Sequence, residues 1–197
     1  MELRWPSLDE LPSYVDALER GFSANTMDDE AGRRELAVIR ADPDQFLASL
    51  DDRDGSGLPI TLPDGSLVPR IPGFHRWMWD GEFCGRIGFR WVPGTEELPP
   101  HVLGHIGYAV VRWKRRRGYA TEALRLLLEE IDDEGLRWVE ITTDPDNVAS
   151  QRVIEANGGE LVEHFTKLPA YGGGTGLRYR IALPAGVAPA RVVSDTT

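Results

Sequence analysis

The chain has 197 residues, 41% of them hydrophobic, and a formal net charge of −10. That length and balance describe one ordinary globular domain with a core of its own. They argue against a general nucleic-acid binder, which normally shows a basic domain or face, and they mildly favour a cationic partner. The single cysteine, Cys84, excludes an intrachain disulfide and any cysteine-rich zinc site. No apolar run reaches the roughly 18 residues of a membrane span, and "MELRWPSLDE" does not read as a secretory signal. A cytoplasmic location fits these features.

In chain order, "MELRW" reads as a short first strand. "SLDELPSYVDALERGF" reads as a helix with Ser7 as N-cap, Glu10 three residues on and Gly21 near its end. "DDEAGRRELAVIR" and "DPDQFLASLDD" read as two further short helices, the second opened by Asp42 and Pro43. Residues 53–73 are dense in glycine and proline and read as an exposed loop with a small hairpin at "PDGS". "FHRWMWDGEFCGRIGFRWV" then reads as two strands broken at Asp80-Gly81, a tight-turn dipeptide. "VLGHIGYAVV" reads as another strand after "GTEELPP".

From Gly118 the apolar period shifts from two to near 3.6. Ala120, Ala123, Leu124, Leu127, Leu128 and Ile131 make one helical stripe that Gly135 closes. "LRWVEITT" is the next strand, "NVASQRVIEAN" a short helix closed by Gly158-Gly159, and "GELVEHFTKL" and "GLRYRIAL" the last two strands. The predicted fold is α/β: a mixed, mostly antiparallel sheet of about six to seven strands flanked by helices, with a right-handed crossover over 102–143. Residues 1–184 form one domain, and 185–197 read as a flexible tail.

Five of the six positions from Arg112 to Arg117 are basic, and they stand immediately before a helix. A helix start is already electropositive, so this helix reverses the favourable order of charges: Arg115, Arg116 and Arg117 at the start, Glu129, Glu130, Asp132, Asp133 and Glu134 at the end. Each misplaced exposed charge costs about 0.3–1 kcal/mol at low salt. The acidic end is expected to be solvated. The basic end makes sense with an anion bound to the helix's free N–H groups, and Gly118 would let that anion approach the backbone. Neither G-x-x-x-x-G-K-[ST] nor G-x-G-x-x-G is present here. From the turn alone, a solvated basic turn or a nucleic-acid patch is as good a reading.

The run Arg115-Arg116-Arg117-Gly118-Tyr119-Ala120 resembles the Q/R-x-x-G-x-G/A signature of the Gcn5-related N-acetyltransferases, the GNAT family. The resemblance extends over about 80–165. "IGYAVV" stands where the family has its fourth strand, "ATEALRLLLEEI" where it has its third helix, and "VEITTDPDNVASQRVIEANGGELV" resembles its fifth strand and fourth helix. It implies a sheet splayed between the fourth and fifth strands, with the pantetheine arm of acetyl-CoA lying between them and acceptor-side helices over about 8–52. It further implies that Val110, Val111 and nearby backbone bond the pantetheine and polarise the thioester. The pyrophosphate would lie on the N–H groups of Arg115, Arg116, Arg117, Gly118, Tyr119 and Ala120, with Thr121 in the first turn. Asn147 would reach the pantetheine; it is equally a favoured N-cap.

The implied activity is acetyl transfer from acetyl-CoA, the co-substrate, to a primary amine on a small molecule or a protein, without a metal, and without a nucleic-acid or membrane partner. Homodimers are common in the family. Many members carry a tyrosine on the fourth helix as the acid for the departing thiolate, but Ile154 stands here. Ser150 resembles a serine found there in a subset of the family and is the candidate thiol donor; a back-bonding serine is the plain alternative. His105 is the candidate general base, with His75 and Glu82 nearby in sequence and a water relay as the other route. Tyr171, Tyr179, Trp77, Trp79 and Trp91 are candidates for an acceptor pocket or for core. Cys84 reads as a buried structural thiol. The loss of the helix tyrosine leaves a second reading, a non-catalytic acyl-CoA-binding module.

Overall fold

The structure is a computed structural model that describes residues 1–25, 30–62, 65–171 and 173–184. The proposed tail at 185–197 and part of the "PDGS" turn lie outside the described residues. The elements run β1 (Glu2–Arg4), α1 (Leu11–Glu19), α2 (Ala31–Ala41), α3 (Pro43–Ala48), β2 (Asp51–Asp52), β3 (Ile60–Thr61), β4 (Leu67–Val68), β5 (Gly73–Trp79), β6 (Phe83–Arg90), β7 (Ile106–Val110), α4 (Tyr119–Glu130), β8 (Trp138–Thr143), α5 (Val148–Glu155), β9 (Glu160–Thr166) and β10 (Thr175–Ala182).

Local chemistry accounts for most of these boundaries. Asp42 caps α3 by accepting from the Gln45 N–H at 2.9 Å, with Pro43 in the first turn. Gly135 follows α4 and a short 3-10 turn in the left-handed conformation, φ +74°. Helix α1 begins later than expected. Pro12 sits in its first turn and Glu10 is the N-cap position, while Ser7 serves only through its carbonyl, which accepts from the Leu11 N–H at 3.0 Å.

The strands do not make one continuous sheet. β1-β5-β6-β7 forms the first, with β2 on β5, and β8-β10-β9 forms the second. β3 and β4 make a separate small hairpin. Between the two sheets, Phe74, Met78, Ile87, Phe89 and Ile106 of the first and Val139, Ile141, Leu177, Tyr179 and Ile181 of the second share one core with Ala123, Leu124 and Leu127 of α4 and Ile154 of α5. The opposite face of the first sheet packs Trp77, Phe83 and Ala109 against Tyr14, Leu18, Phe22 and Phe46 of the N-terminal helical region. Helices α4 and α5 therefore cover one face, and α1 to α3 cover the other.

The acidic end of α4 is not solvated as a block. Glu130 pairs with Arg76 of β5, which is itself stacked on Trp5, and Glu134 pairs with Arg53 at 3.3 Å. Arg76 of the sheet and Arg53 just after β2 thus supply the positive charge that the helix's own C-terminal turns lack.

His105, just ahead of β7, joins the two sheets at the middle of β8. The His105 N–H donates to the Glu140 carbonyl at 2.7 Å, and His105 Nδ1 accepts from the Glu140 N–H at 3.0 Å. Its own carbonyl turns the other way and accepts from the Arg90 N–H of β6 at 2.9 Å. Gly104 is needed beside it because a Cβ there would stand 2.9 Å from the Glu140 carbonyl oxygen. Beyond this bridge β7 and β8 share no strand pairing. The predicted strand over 102–111 is accordingly shorter in the structure, because residues up to His105 serve the bridge.

The bridge also makes stability depend on pH. Burial lowers the His105 pKa to about 4, against about 6.5 for a free histidine. As pH falls the unfolded chain takes the proton first, so stability present above pH ~6.5 is lost as pH falls towards about 4. Between pH 7.5 and 5 this amounts to roughly 2 kcal/mol. His105→Asn keeps an oxygen acceptor for the Glu140 N–H but does not titrate. Urea unfolding at the two pH values should show wild type losing about 2 kcal/mol more than the variant; a pH-independent difference would refute the assignment.

Candidate active site

The edge of β7 that faces β8 is open. In the β6–β7 ladder, His105 bonds Arg90 and Val111 bonds Cys84. Bonded pairs alternate in an antiparallel ladder, so Gly107 and Ala109 point their main-chain groups at β6, and Ile106, Tyr108 and Val110 point theirs at the gap. The Val110 carbonyl there accepts from Arg115 Nε at 3.2 Å. Val111 does not share this edge: its N–H donates to Cys84, its carbonyl accepts from Lys114, and its side chain is fully buried. It anchors the strand end rather than facing the gap.

At the end of that gap lies the basic turn. Arg116 has φ +61° and Gly118 φ +78°, so two left-handed residues curl the chain just ahead of α4. Gly118 is the N-cap residue and supplies no side-chain bond. The first helical bond runs from the Glu122 N–H to the Gly118 carbonyl, and the main-chain N–H groups from Arg115 to Thr121 have no partner among the described residues. Arg115, Arg116 and Arg117 are exposed around them. Free donors, a helix start and three guanidinium groups converge on one spot, the chemistry of an anion site.

The other two basic residues of the run do different work. Lys114 is buried and bonds Asp80 Oδ1 and Glu82 Oε1, each at 2.6 Å, and Asp80 also accepts from the Tyr119 hydroxyl. Burial disfavours the lysine charge, but those carboxylate bonds outweigh it and raise its pKa. Burial likewise opposes ionisation of Asp80, and its bonds to Lys114 and Tyr119 reverse the effect and lower its pKa. The β5–β6 turn is thereby strapped to both flanks of the basic loop. Arg112 reaches back to the Arg20 carbonyl, while Arg20 lies over the Trp113 ring at 3.5 Å.

Across the gap, α5 begins at Asn147, whose Oδ1 accepts from the Ser150 N–H at 3.1 Å. Asn147 is thus the cap of α5, with its amide donors still available. Ser150 Oγ lies 2.9 Å from the Tyr108 hydroxyl, linking β7 to α5 beside the open edge. Burial pushes the Tyr108 pKa up to about 12, so its proton stays in place at neutral pH. Sequence reasoning missed Tyr108. The "IGYAVV" run identifies a strand tyrosine, but nothing in the spacing tells that it meets a helix residue 42 positions on. Ile154, at the family's tyrosine position, is fully buried in the core.

Several other candidates separate from the gap. His105 has its Nδ1 lone pair occupied by the Glu140 N–H, which leaves Nε2 as the protonated nitrogen, so it has no free lone pair for a base. Cys84 is buried, and burial first, then the Asp80 contact, pushes its pKa up to about 12; the thiol is not a nucleophile at neutral pH. Trp77, Trp91 and Tyr179 are core residues. Tyr171 donates to the His101 carbonyl at 2.6 Å. Glu82 is taken by Lys114. His75 faces the opposite side of the first sheet, with burial lowering its pKa so that it is neutral. Among the described residues, no group of three or more His, Cys, Asp or Glu side chains could hold a metal ion, and no helix is long and apolar enough to cross a membrane.

Comparison with known proteins bears on this arrangement. No curated protein matches the sequence. Among solved structures, an acetyltransferase of the GNAT family from Bacillus anthracis superposes with a TM-score of 0.55 at 15% identity, over 91% of this chain and 93% of that one. The microcin C7 self-immunity acetyltransferase MccE, solved with acetyl-CoA and AMP, gives 0.57 at 13% identity over 91% of each chain. RimL, the ribosomal L7/L12 α-N-protein acetyltransferase solved with CoA, gives 0.57 at 15% identity over 93% of this chain and 94% of that one. At these identities the likeness establishes the fold. Residues 69–160, which contain the bridge, the open edge, the basic turn and α5, match the family model of the acetyltransferase (GNAT) domain, so the chain carries a GNAT acetyltransferase domain over that stretch.

Proposed function

We propose that the protein is an acetyl-CoA-dependent N-acetyltransferase whose acceptor is a primary amine. The observation that carries this reading is the row of unpaired N–H groups from Arg115 to Thr121, set at the end of an unpaired strand edge. A diphosphate fits the row: it needs several donors and a compensating positive field, and Arg116 and Gly118 bend the chain to present both. The pantetheine arm, with its amide groups, fits the edge of Tyr108 and Val110, on which Asn147 borders from α5. Residues 8–52 would close the acceptor side.

The residues then act on the transfer as follows. The amine nitrogen attacks the thioester carbonyl carbon, forming the C–N bond as charge moves to oxygen, and a gap-facing N–H of β7 stabilises that oxyanion. Collapse restores the carbonyl and breaks the C–S bond, so the sulfur leaves with the electron pair. The nitrogen sheds one proton and the sulfur gains one, giving an amide and free CoA. The hydroxyl pair Tyr108–Ser150 is the proton source at the sulfur, replacing the helix tyrosine that Ile154 displaces. That pair is also what favours catalysis over a purely sensory acyl-CoA module.

Two experiments test the reading. Calorimetric titration with acetyl-CoA should show saturable binding that Gly118→Val, which disfavours φ +78°, weakens about tenfold or more while the protein stays folded, its melting temperature lowered by no more than a few degrees. Absence of heat in the wild-type protein would sink the reading. In a thiol-release assay Tyr108→Phe should lower kcat roughly 10²-fold, a usual size for a lost acid, while acetyl-CoA affinity is retained. Unchanged turnover would remove the pair from the mechanism.

A further inference from the structure

The face of the first sheet that looks away from α4 and α5 carries a second cationic cluster, separate from the basic turn. The register sets His75 opposite Gly88, Gly88 opposite Gly107, Trp77 opposite Arg86, and Gly73 opposite Arg90. Side chains alternate along a strand, so His75, Arg86 and Arg90 project from this one face with Gly88 and Gly107 as its floor. A Cβ at Gly88 would stand 2.5 Å from His75 Cδ2, and one at Gly107 would stand 3.2 Å from Arg90 Nη2. The imidazole therefore lies down over β6, and the Arg90 guanidinium lies over β7, the strand whose far edge lines the gap.

The charges of this cluster are unequally matched. Arg86 Nη1 is 3.1 Å from Glu35 Oε1 of α2 and 3.3 Å from the Tyr14 hydroxyl. Arg70 Nε is 3.7 Å from Asp52 Oδ2. The Arg90 side chain has no hydrogen bond or ion pair among the described residues, and the residue is exposed. The groups that act on it are Arg86, a like charge, and Tyr171 of the turn before β10. Desolvation against the sheet first, then Arg86, lowers its pKa, although the residue keeps exposed surface. Its charge is felt on both sides: Arg86, Arg90 and Arg70 all depress His75, and Arg90 also depresses His105 at the apex of the gap. An unmatched arginine beside a like charge is an unfavourable arrangement that an anion would correct.

We propose that Arg90, supported by Arg86, recognises an oxyanion, a carboxylate or a phosphate, carried by the acceptor molecule near the amine that is acetylated. This rests on the acetyltransferase reading above. Adjacent strands lie about 4.8 Å apart, so an anion on Arg90 over β7 sits only a few bonds from an amine at the gap edge. The chain's overall charge of −10 suggested a cationic acceptor, but exposed charges beyond a Debye length of ~10 Å are screened, and the groups over Gly88 and Gly107 are positive or neutral.

Matched amines test this. β-Alanine against β-alaninamide varies only the carboxylate, and phosphoethanolamine against ethanolamine varies only the phosphate. In a thiol-release assay, the anionic member of at least one pair should have a kcat/KM about tenfold or more above its neutralised partner. The pair that responds tells carboxylate from phosphate. Arg90→Gln should bring that ratio to within about threefold, and Arg90→Glu should invert it, with acetyl-CoA affinity by calorimetry unchanged in both. Equal rates within both pairs, preference for the neutralised members, or an equal loss for both members in Arg90→Gln overturns the proposal. Should acetyl-CoA give no heat, the acetyltransferase reading fails by itself. The anion site is then read from the His75 ring resonances on adding β-alanine or phosphoethanolamine: a saturable shift that Arg90→Gln abolishes supports it, and no shift overturns it.

Discussion

The architecture depends on leaving one strand edge unpaired inside a sheet, an arrangement that normally costs free energy for every stranded N–H and carbonyl. His105 makes this affordable by confining it. It uses its own N–H and its ring nitrogen to bond both main-chain groups of Glu140, so the two sheets are sealed at one point and free to diverge beyond it. A second strand residue in place of the imidazole would extend the pairing and close the gap. A residue unable to accept would leave the Glu140 N–H buried and unmet. The gap, the exposed edge of Tyr108 and Val110, and the route towards the basic turn all follow from where that bridge stands.

The same logic of deliberately unmet groups operates at the basic turn. Of five clustered cations, Lys114 is neutralised by Asp80 and Glu82 and buried, and Arg112 is drawn to Arg20. Arg115, Arg116 and Arg117 remain outward around the free N–H groups. The buried lysine and its carboxylates fix the loop's shape, and the arginines supply the field. A loop made only of free arginines would repel itself; one fully paired would bind nothing.

The order of elements was legible in the sequence because period, glycine and cap signals agreed: the stripe from Ala120 to Ile131, Asp80-Gly81, Asp42-Pro43 and Gly135 each marked what the structure contains. So was the basic turn, because its chemistry is local and main-chain. What could not be read was anything decided by contact between distant segments. His105 looked like a candidate base because a histidine beside a predicted thioester has that chemistry; only the Glu140 main chain, 35 positions away, takes its lone pair. Tyr108 and Ser150 were separate residues until the fold joined them. The acidic end of α4 read as solvated because Arg76 and Arg53 reach it from elsewhere in the chain.

Net charge is a weak guide to the acceptor for a related reason. A chain at −10 keeps its carboxylates near many of its arginines: Glu35 on Arg86, Glu130 on Arg76, Glu140 on Arg178 and Arg180, Glu96 on Arg137. Pairing of this kind cancels locally and carries little information about ligands. The informative cations are those the fold leaves without a carboxylate, among them the arginines before α4 and Arg90 on the far face of the first sheet. One lies at the end of the gap, and the other lies across β7 from it. An acidic protein can therefore present positive sites on both sides of one strand edge, and the edge between them is where two anionic molecules would be brought together against their mutual repulsion.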